Sequence, residues 1–179
     1  MAKVLYSATM SLDGFIAGAG GDMSWLRAYL GRNETADELL GQIGALLVGN
    51  RTFRGDDPNR GTDREGAFGG RYTGPVFVLT HHVPATPVPD VAFVGDLAGG
   101  LDAAKAAAGD KYVNVLGADV ARQCLEAGAL DEILVLIAPV LLGDGVRLFE
   151  HPGGTNVRLE QISVTPAENA TNLWFRVLT

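Results

Sequence analysis

Hydrophobic and polar positions along this chain switch repeatedly between strand-like and helix-like spacing. Residues 3–10 are rich in apolar and β-prone side chains and read as a first strand. Asp13-Gly14 is a turn signal, followed by the short run Phe15-Ile16-Ala17 and the glycine-rich stretch Gly18 to Asp22. Thr35 to Gly44 has helical periodicity, with Ala36, Leu39, Leu40 and Ile43 on one face. Ala45 to Val48 is a continuous apolar run, as a strand buried on both faces requires, and Gly49 stops it. Residues 54–74, rich in Gly, Asp and Arg, predict a mobile surface loop. Pro75 to Thr80 and Val91 to Val94 read as two short strands, and Leu101 to Ala108 as an Ala-rich helix. Lys111 to Leu116 reads as a strand, and Asp119 to Ala127 as a helix turning Val120, Ala121, Cys124 and Leu125 inward. Glu132 to Leu141 predicts a long strand. Arg158 to Val164 and Asn172 to Leu178 alternate around a turn near Pro166, the pattern of an antiparallel hairpin.

Strands separated by helices and closed by a hairpin describe an α/β fold. Its central sheet is mostly parallel, with helices on both faces and an antiparallel margin. The length, 179 residues, predicts one domain spanning 1–179. Sheets of this kind bind ligands beyond the carboxyl ends of their strands, so the strand-to-helix junctions are where chemistry is expected.

Composition narrows the partners. Fourteen Lys and Arg against 21 Asp and Glu give a net charge of -7, which disfavours nucleic acid and membrane surfaces. The single cysteine, Cys124, rules out an intrachain disulfide and lies on an apolar helical face as packing. His81, His82 and His151 have no metal-binding spacing, so no metal is expected. The N-terminal residues lack the apolar core of a signal peptide, and Ile133 to Leu142 is too short to span a bilayer. A cytoplasmic protein is the expectation.

Three junctions carry candidate chemistry. In Gly49-Asn50-Arg51-Thr52-Phe53 a glycine follows a buried strand, and Arg51 and Thr52 offer a guanidinium fork and a hydroxyl to a phosphate. The same residues also suit a plain turn with a surface arginine. In Leu116-Gly117-Ala118-Asp119-Val120 a helix opens after a strand, where backbone N–H groups stabilise an anion. Asp119 is equally suited to cap that helix itself. Gly143-x-Gly145 lacks the helix and third glycine of a dinucleotide fingerprint and reads as a tight, pocket-lining loop that includes Leu142.

Four segments in this order resemble the reductase domain found at the C-terminus of the bifunctional riboflavin-biosynthesis deaminase/reductase, a relative of dihydrofolate reductase. They are Ser11 to Ala17, Gly49 to Phe53, Ala127 to Glu132, and Pro139 to Gly145 followed by Leu148-Phe149. The resemblance implies a three-layer α/β/α dihydrofolate-reductase-like fold, NADPH as cofactor and commonly a homodimer. It places Gly49, Asn50, Arg51 and Thr52 at the pyrophosphate or the adenosine ribose phosphate, and Thr80 and His81 near the adenosine end. Leu116, Gly117, Ala118, Asp119 and Val120 come to the pyrophosphate from the other side. Ala8, Ile16 and Ala17 come to the nicotinamide, and Ser11 and Asp13 to the substrate. Where family members often carry a Gly-Gly pair preceded by Glu, this chain has Val115-Leu116-Gly117, which implies a modified turn.

The leading expectation is an NADPH-dependent reductase of a planar heterocycle, a pterin or an aminopyrimidine. It is similar to 5-amino-6-(5-phosphoribosylamino)uracil reductase or to dihydrofolate reductase. Asp13 is the candidate catalytic residue, as a polar substrate contact or proton donor, although an Asp-Gly turn gives it a purely local role as well. Trp25 either roofs the substrate site or anchors its loop to the core. The alternatives are a nucleotide-binding protein on the same fold without reductase activity, and a partner-binding domain using its sheet edge.

Overall fold

A computed structural model describes residues 1–178. Its elements are β1 (Val4–Ser11), β2 (Phe15–Ala17), α1 (Glu34–Gln42), β3 (Ile43–Gly49), α2 (Asn50–Phe53), β4 (Val76–Leu79) and β5 (Val91–Val94). They continue with α3 (Leu97–Ala108), β6 (Tyr112–Leu116), α4 (Ala118–Glu126), β7 (Glu132–Ala138), β8 (Val146–Arg147), β9 (Arg158–Pro166) and β10 (Thr171–Leu178).

The main sheet has the order β5-β4-β3-β6-β1-β7-β10-β9. The first six strands run parallel, and β10 is antiparallel to both β7 and β9. Side chains alternate across the sheet and divide its interior into two cores. On one face α3 and α4 bring Leu101, Ala104, Val120 and Cys124 onto Val4, Tyr6, Leu47, Val113 and Val115. On the other, α1 brings Leu39 onto Leu5, Leu46, Val48 and Leu134. The result is the expected α/β/α layering with an antiparallel hairpin at one margin.

Several boundaries differ from the sequence reading for physical reasons. Ile43 opens β3 opposite Tyr112 rather than ending α1, because a buried apolar side chain satisfies either pattern. Helix α3 begins at Leu97, capped by the Asp96 carboxylate, which accepts from Gly99 N–H at 2.8 Å. Gly100 within it sits close to β5, where a Cβ would lie 3.0 Å from Val94. Strand β7 stops at Ala138, before Pro139, instead of running to Leu141. Residues 54–74 are tied by their own polar groups. Asp57 accepts from Asn59 and Gly66 N–H, and Arg71 pairs with Asp37 at 2.7 Å.

The start of β7 is locked by charge as well as by the ladder. Asp131 accepts from Val4 N–H at 2.7 Å, so the turn after α4 is fixed to β1. Glu132 is 3% exposed and accepts from Lys3 Nζ at 2.8 Å, Tyr112 Oη at 2.9 Å and Trp174 Nε1 at 2.8 Å. Burial alone would raise its pKa, but these three donors outweigh it and hold the carboxyl below its ordinary value.

Candidate functional site

The carboxyl ends of β1, β3, β4 and β6 open onto one broad cleft of about 2440 Å³. Its floor is the α1 side of the sheet: Leu46 and Val48 from β3, Leu116 from β6 and Leu136 from β7, with Ser7 and Thr9 from β1 among them. Period-two alternation in β1 sets Leu5, Ser7 and Thr9 on one face, so two hydroxyls lie in an otherwise apolar floor. The sequence reading missed both, although that alternation is visible in residues 3–10.

All the positions expected around a cofactor line this cleft. Ala8, Ile16 and Ala17 stand at one end, and Thr80 and His81 after β4 at another. Between them the segment Gly49 to Thr52 faces Leu116 to Val120. Gly117 has φ +104° and ψ 134°, and a Cβ built on it would overlap Thr52 Oγ1. A Cβ on Gly49 would meet Val120 at 3.1 Å. The two segments therefore approach backbone to side chain, at a place where added carbon has no room.

The start of α4 is open to an anion. Gly117 is its N-cap and supplies no side-chain acceptor for the first-turn N–H groups. Asp119 leaves them free as well, because it accepts from Arg122 and Gln123 at 2.8 Å each. The Arg122 hydrogen bond leads, with Gln123, Arg122 and Arg51 adding to it, in lowering the Asp119 pKa despite partial burial. Asp119 does not cap α4, which removes the plainer of the two readings of this junction. A glycine cradle, an uncapped helix of nine residues and the adjoining Arg51 fit the diphosphate of a dinucleotide.

The residues expected at the substrate sit elsewhere. Asp13 is bound by Ser11 Oγ at 2.6 Å, Leu142 N–H at 3.0 Å and Gly143 N–H at 2.7 Å. Ser11 Oγ in turn accepts from Phe15 N–H at 3.0 Å. The Ser11 hydroxyl first, then the Leu142 and Gly143 amides, lower the Asp13 carboxyl to about 2. Such a group is a carboxylate at neutral pH, and none of Ser11, Asp13, Leu142 and Gly143 lines the cleft. Of the two roles the sequence leaves to Asp13, a substrate contact and the holding of its own turn, the structure shows the second, extended to tie the β1–β2 turn to the loop after β7. Trp25 stands in a 3-10 turn, Ser24–Tyr29, with its Nε1 buried and unpartnered and its ring 6.2 Å from Tyr29. It too lies outside the cleft lining, whereas its neighbours Met23 and Leu26 are part of it.

A clamp behind Ile16 and Ala17 completes the cleft. β2 pairs with β8, and a Cβ at Gly145 would overlap the Ala17 carbonyl oxygen. This ladder was not visible in the sequence, because β8 is two residues long. It brings Arg147, another residue the sequence reading passed over, to the cleft.

Comparison with known proteins agrees with this geometry. A family model described as the RibD C-terminal domain matches residues 2–173. A protein of Shewanella sp. PV-4 assigned to riboflavin biosynthesis superposes with TM-score 0.76 at 24% identity, covering 100% of both chains. The deaminase/5-amino-6-(5-phosphoribosylamino)uracil reductase of Thermotoga maritima gives 0.67 at 17% identity over 99% of this chain and 57% of that one. Dihydrofolate reductase from Enterococcus faecalis, complexed with NADP(H), gives 0.67 at 14% identity over 99% and 97%. The fold is thus dihydrofolate-reductase-like. The search of curated proteins finds no match.

Proposed function

The chain belongs to the RibD C-terminal domain family, and from that premise we propose that it is an NADPH-dependent reductase of a small planar heterocycle. The observation that carries the reading is the facing pair Gly49–Thr52 and Gly117–Val120, so close that a Cβ on Gly117 would run into Thr52 Oγ1. When bound, NADPH supplies the hydride. The protein's part is positioning and exclusion of water. The α4 amides and Arg51 hold phosphate, with Thr80 and His81 beyond them. Ala8, Ile16 and Ala17 form an apolar wall against which a flat ring lies. Leu46, Val48, Leu116 and Leu136 keep the neighbouring floor dry, and the Ser7 and Thr9 hydroxyls orient a polar ring edge.

No carboxyl group stands on that floor, and the Asp13 carboxylate is spoken for. Asp13 is therefore no proton donor in this reading. This same feature favours, as a second reading, a nucleotide-binding protein on this fold without reductase activity. No helix among the described residues is long and apolar enough to cross a membrane. A one-domain cytoplasmic protein that forms a homodimer completes the proposal. β9 ends the sheet, and Leu159, Ile162 and Val164 on it are exposed.

Titration with NADPH, followed by tryptophan fluorescence and thermal shift, tests both readings. No response at millimolar cofactor rejects them together. If NADPH binds, its oxidation with dihydrofolate and with the phosphoribosylaminouracil separates the enzyme from the binder. Arg51→Ala is expected to weaken NADPH more than NADH. Equal losses would take Arg51 away from the extra phosphate.

A further inference from the structure

The end of the cleft farthest from the Gly49 and Gly117 junctions is held from outside the cleft. Those junctions follow β3 and β6, whereas the floor ends beyond β1, at Leu136 of β7. Beside Leu136 in register is Asn172 of β10, only 1% exposed. Its amide and that of Asn33 form a reciprocal pair. Asn33 Nδ2 donates to Asn172 Oδ1 at 2.8 Å, and Asn172 Nδ2 donates to Asn33 Oδ1 at 3.0 Å. Asn33 Oδ1 also accepts from Ala36 N–H at 3.2 Å and so caps α1. Asn172 therefore fixes which way the Asn33 amide faces, and only one way caps the helix. Thr165 of β9 accepts from Asn172 Nδ2 at 3.1 Å and shares a 2.8 Å hydrogen bond with Thr35.

The turn between β9 and β10 grips the segment just before α1. Glu168 Oε2 accepts from Arg32 N–H at 3.0 Å, and Glu168 N–H donates to the Arg32 carbonyl at 3.4 Å. Asn169 Nδ2 donates to the Leu30 carbonyl at 3.4 Å. The approach is close: a Cβ on Gly31 would lie 2.7 Å from Asn169 Nδ2. Leu30 to Asn33 line the cleft, whereas Asn172, Thr165 and Glu168 do not. None of these bonds belongs to the β7–β10–β9 ladder, so they serve the wall of the cleft and not the sheet.

We propose that the C-terminal hairpin positions the second reactant: Asn172 and Glu168 hold residues 30–36 where that molecule meets them, without touching it themselves. The proposal rests on the reductase reading above and goes beyond it in naming positioning residues outside the cleft. A wall ordered before binding adds no ordering cost, whereas a loosened wall lowers the competent fraction and weakens affinity in proportion. NADPH, held at the β3, β4 and β6 junctions, does not depend on this wall.

The test compares Glu168→Ala with Glu168→Gln, whose amide oxygen still accepts from Arg32 N–H, in protein saturated with NADPH. Dihydrofolate and the phosphoribosylaminouracil are titrated by calorimetry, and whichever is turned over is followed at steady state. Glu168→Ala should raise Kd and KM for the heterocycle about threefold to tenfold, the equivalent of one hydrogen bond. Its kcat and its Kd for NADPH should stay within about twofold, and Glu168→Gln should stay near native on every measure. Melting temperature should move little, since Glu168 is exposed. Asn172→Asp keeps the size of the side chain but sets a carboxylate oxygen against Asn33 Oδ1. Measured below its lowered Tm, it should raise KM about tenfold or more. A merely structural role would lower Tm and the active fraction, hence kcat, and leave KM where it was; that result overturns the proposal. Native heterocycle binding that neither Glu168→Ala nor Asn172→Asp changes removes this inference alone. If neither heterocycle binds the native NADPH complex, the reductase reading falls and takes the inference with it.

Discussion

Replacing Gly117 by alanine separates the two constraints that meet at that position. At φ +104° and ψ 134° the backbone lies in a region that is open to glycine and costs other residues about 1–3 kcal/mol. The added methyl also falls inside the ~3 Å that real Cβ atoms keep from other heavy atoms, against Thr52 Oγ1. Thr52 must turn or shift, at about 0.5–1.5 kcal/mol for a strained rotamer. Gly117→Ala should therefore lose about 2–4 kcal/mol, which for a chain of this length is roughly 4–16 °C in Tm. Removing the hydroxyl first isolates the second part. In a Thr52→Ala background the loss should shrink by about 0.5–1.5 kcal/mol, a coupling that a double-mutant cycle in urea resolves. Gly128→Ala is the reference, because φ there is +64° with nothing within 4 Å, so it pays backbone strain alone. NADPH affinity should fall with Gly117→Ala in both backgrounds, since the methyl fills space between the two segments. A variant that melts with the native protein, and shows the same stability whether residue 52 is Thr or Ala, would refute the reasoning.

Two further variants probe the buried charges. Glu132→Ala strands Tyr112 Oη, Trp174 Nε1 and Lys3 and should cost about 2–4 kcal/mol in chemical denaturation, less than a fully buried pair because Lys3 is half-exposed. The Glu132 carboxyl titrates below its ordinary 4.5 in the folded protein. Its stabilisation is thus complete above that value and is lost as pH falls through the lower folded value, so Glu132→Gln should flatten the acid side of the stability curve. Asp13→Asn replaces one acceptor oxygen with an NH2 group, which then faces a donor, Ser11 O–H or the Leu142 or Gly143 N–H, and should lower Tm and loosen residues 142–143, read by hydrogen exchange. Its sign with pH is the same: native stability drains away between 3.8 and about 2, a step absent from the variant. Any reductase rate at neutral pH should survive Asp13→Asn within about tenfold, because a group already ionised there is no proton donor; abolition of turnover with normal NADPH affinity would return Asp13 to the chemistry.

Much of the fold was legible because buried strands and amphipathic helices impose simple periods. Ala45 to Val48 and Ile133 to Ala138 have no polar face to hide, and Val120, Ala121 and Cys124 mark one side of a helix. Glycines misled where packing rather than chain freedom explains them, as at Gly100 inside α3. The strand-to-helix junctions that line the cleft were legible as candidates, because a glycine after a buried parallel strand marks where such a sheet opens onto its ligand side, although the same glycines also suit plain turns. The β1–β2 turn and the β8 segment were not. Asp13 carries the same local signal whether its carboxylate faces a ligand or an amide 129 residues away in sequence. Arg147 was silent because its partner strand, its aromatic support and its place on the cleft all come from tertiary pairing.

The central position of β1 has a consequence for how the chain is made. Its two neighbours, β6 and β7, begin at Tyr112 and Glu132. At bacterial and eukaryotic synthesis speeds, roughly 5–20 residues per second, about a hundred residues must follow β1 before it meets either edge. For several seconds or more an apolar segment, Val4 to Tyr6, is in the open with nothing to pair with. The pairing of β1, held between parallel partners on both sides in the finished sheet, therefore waits on contacts far along the chain.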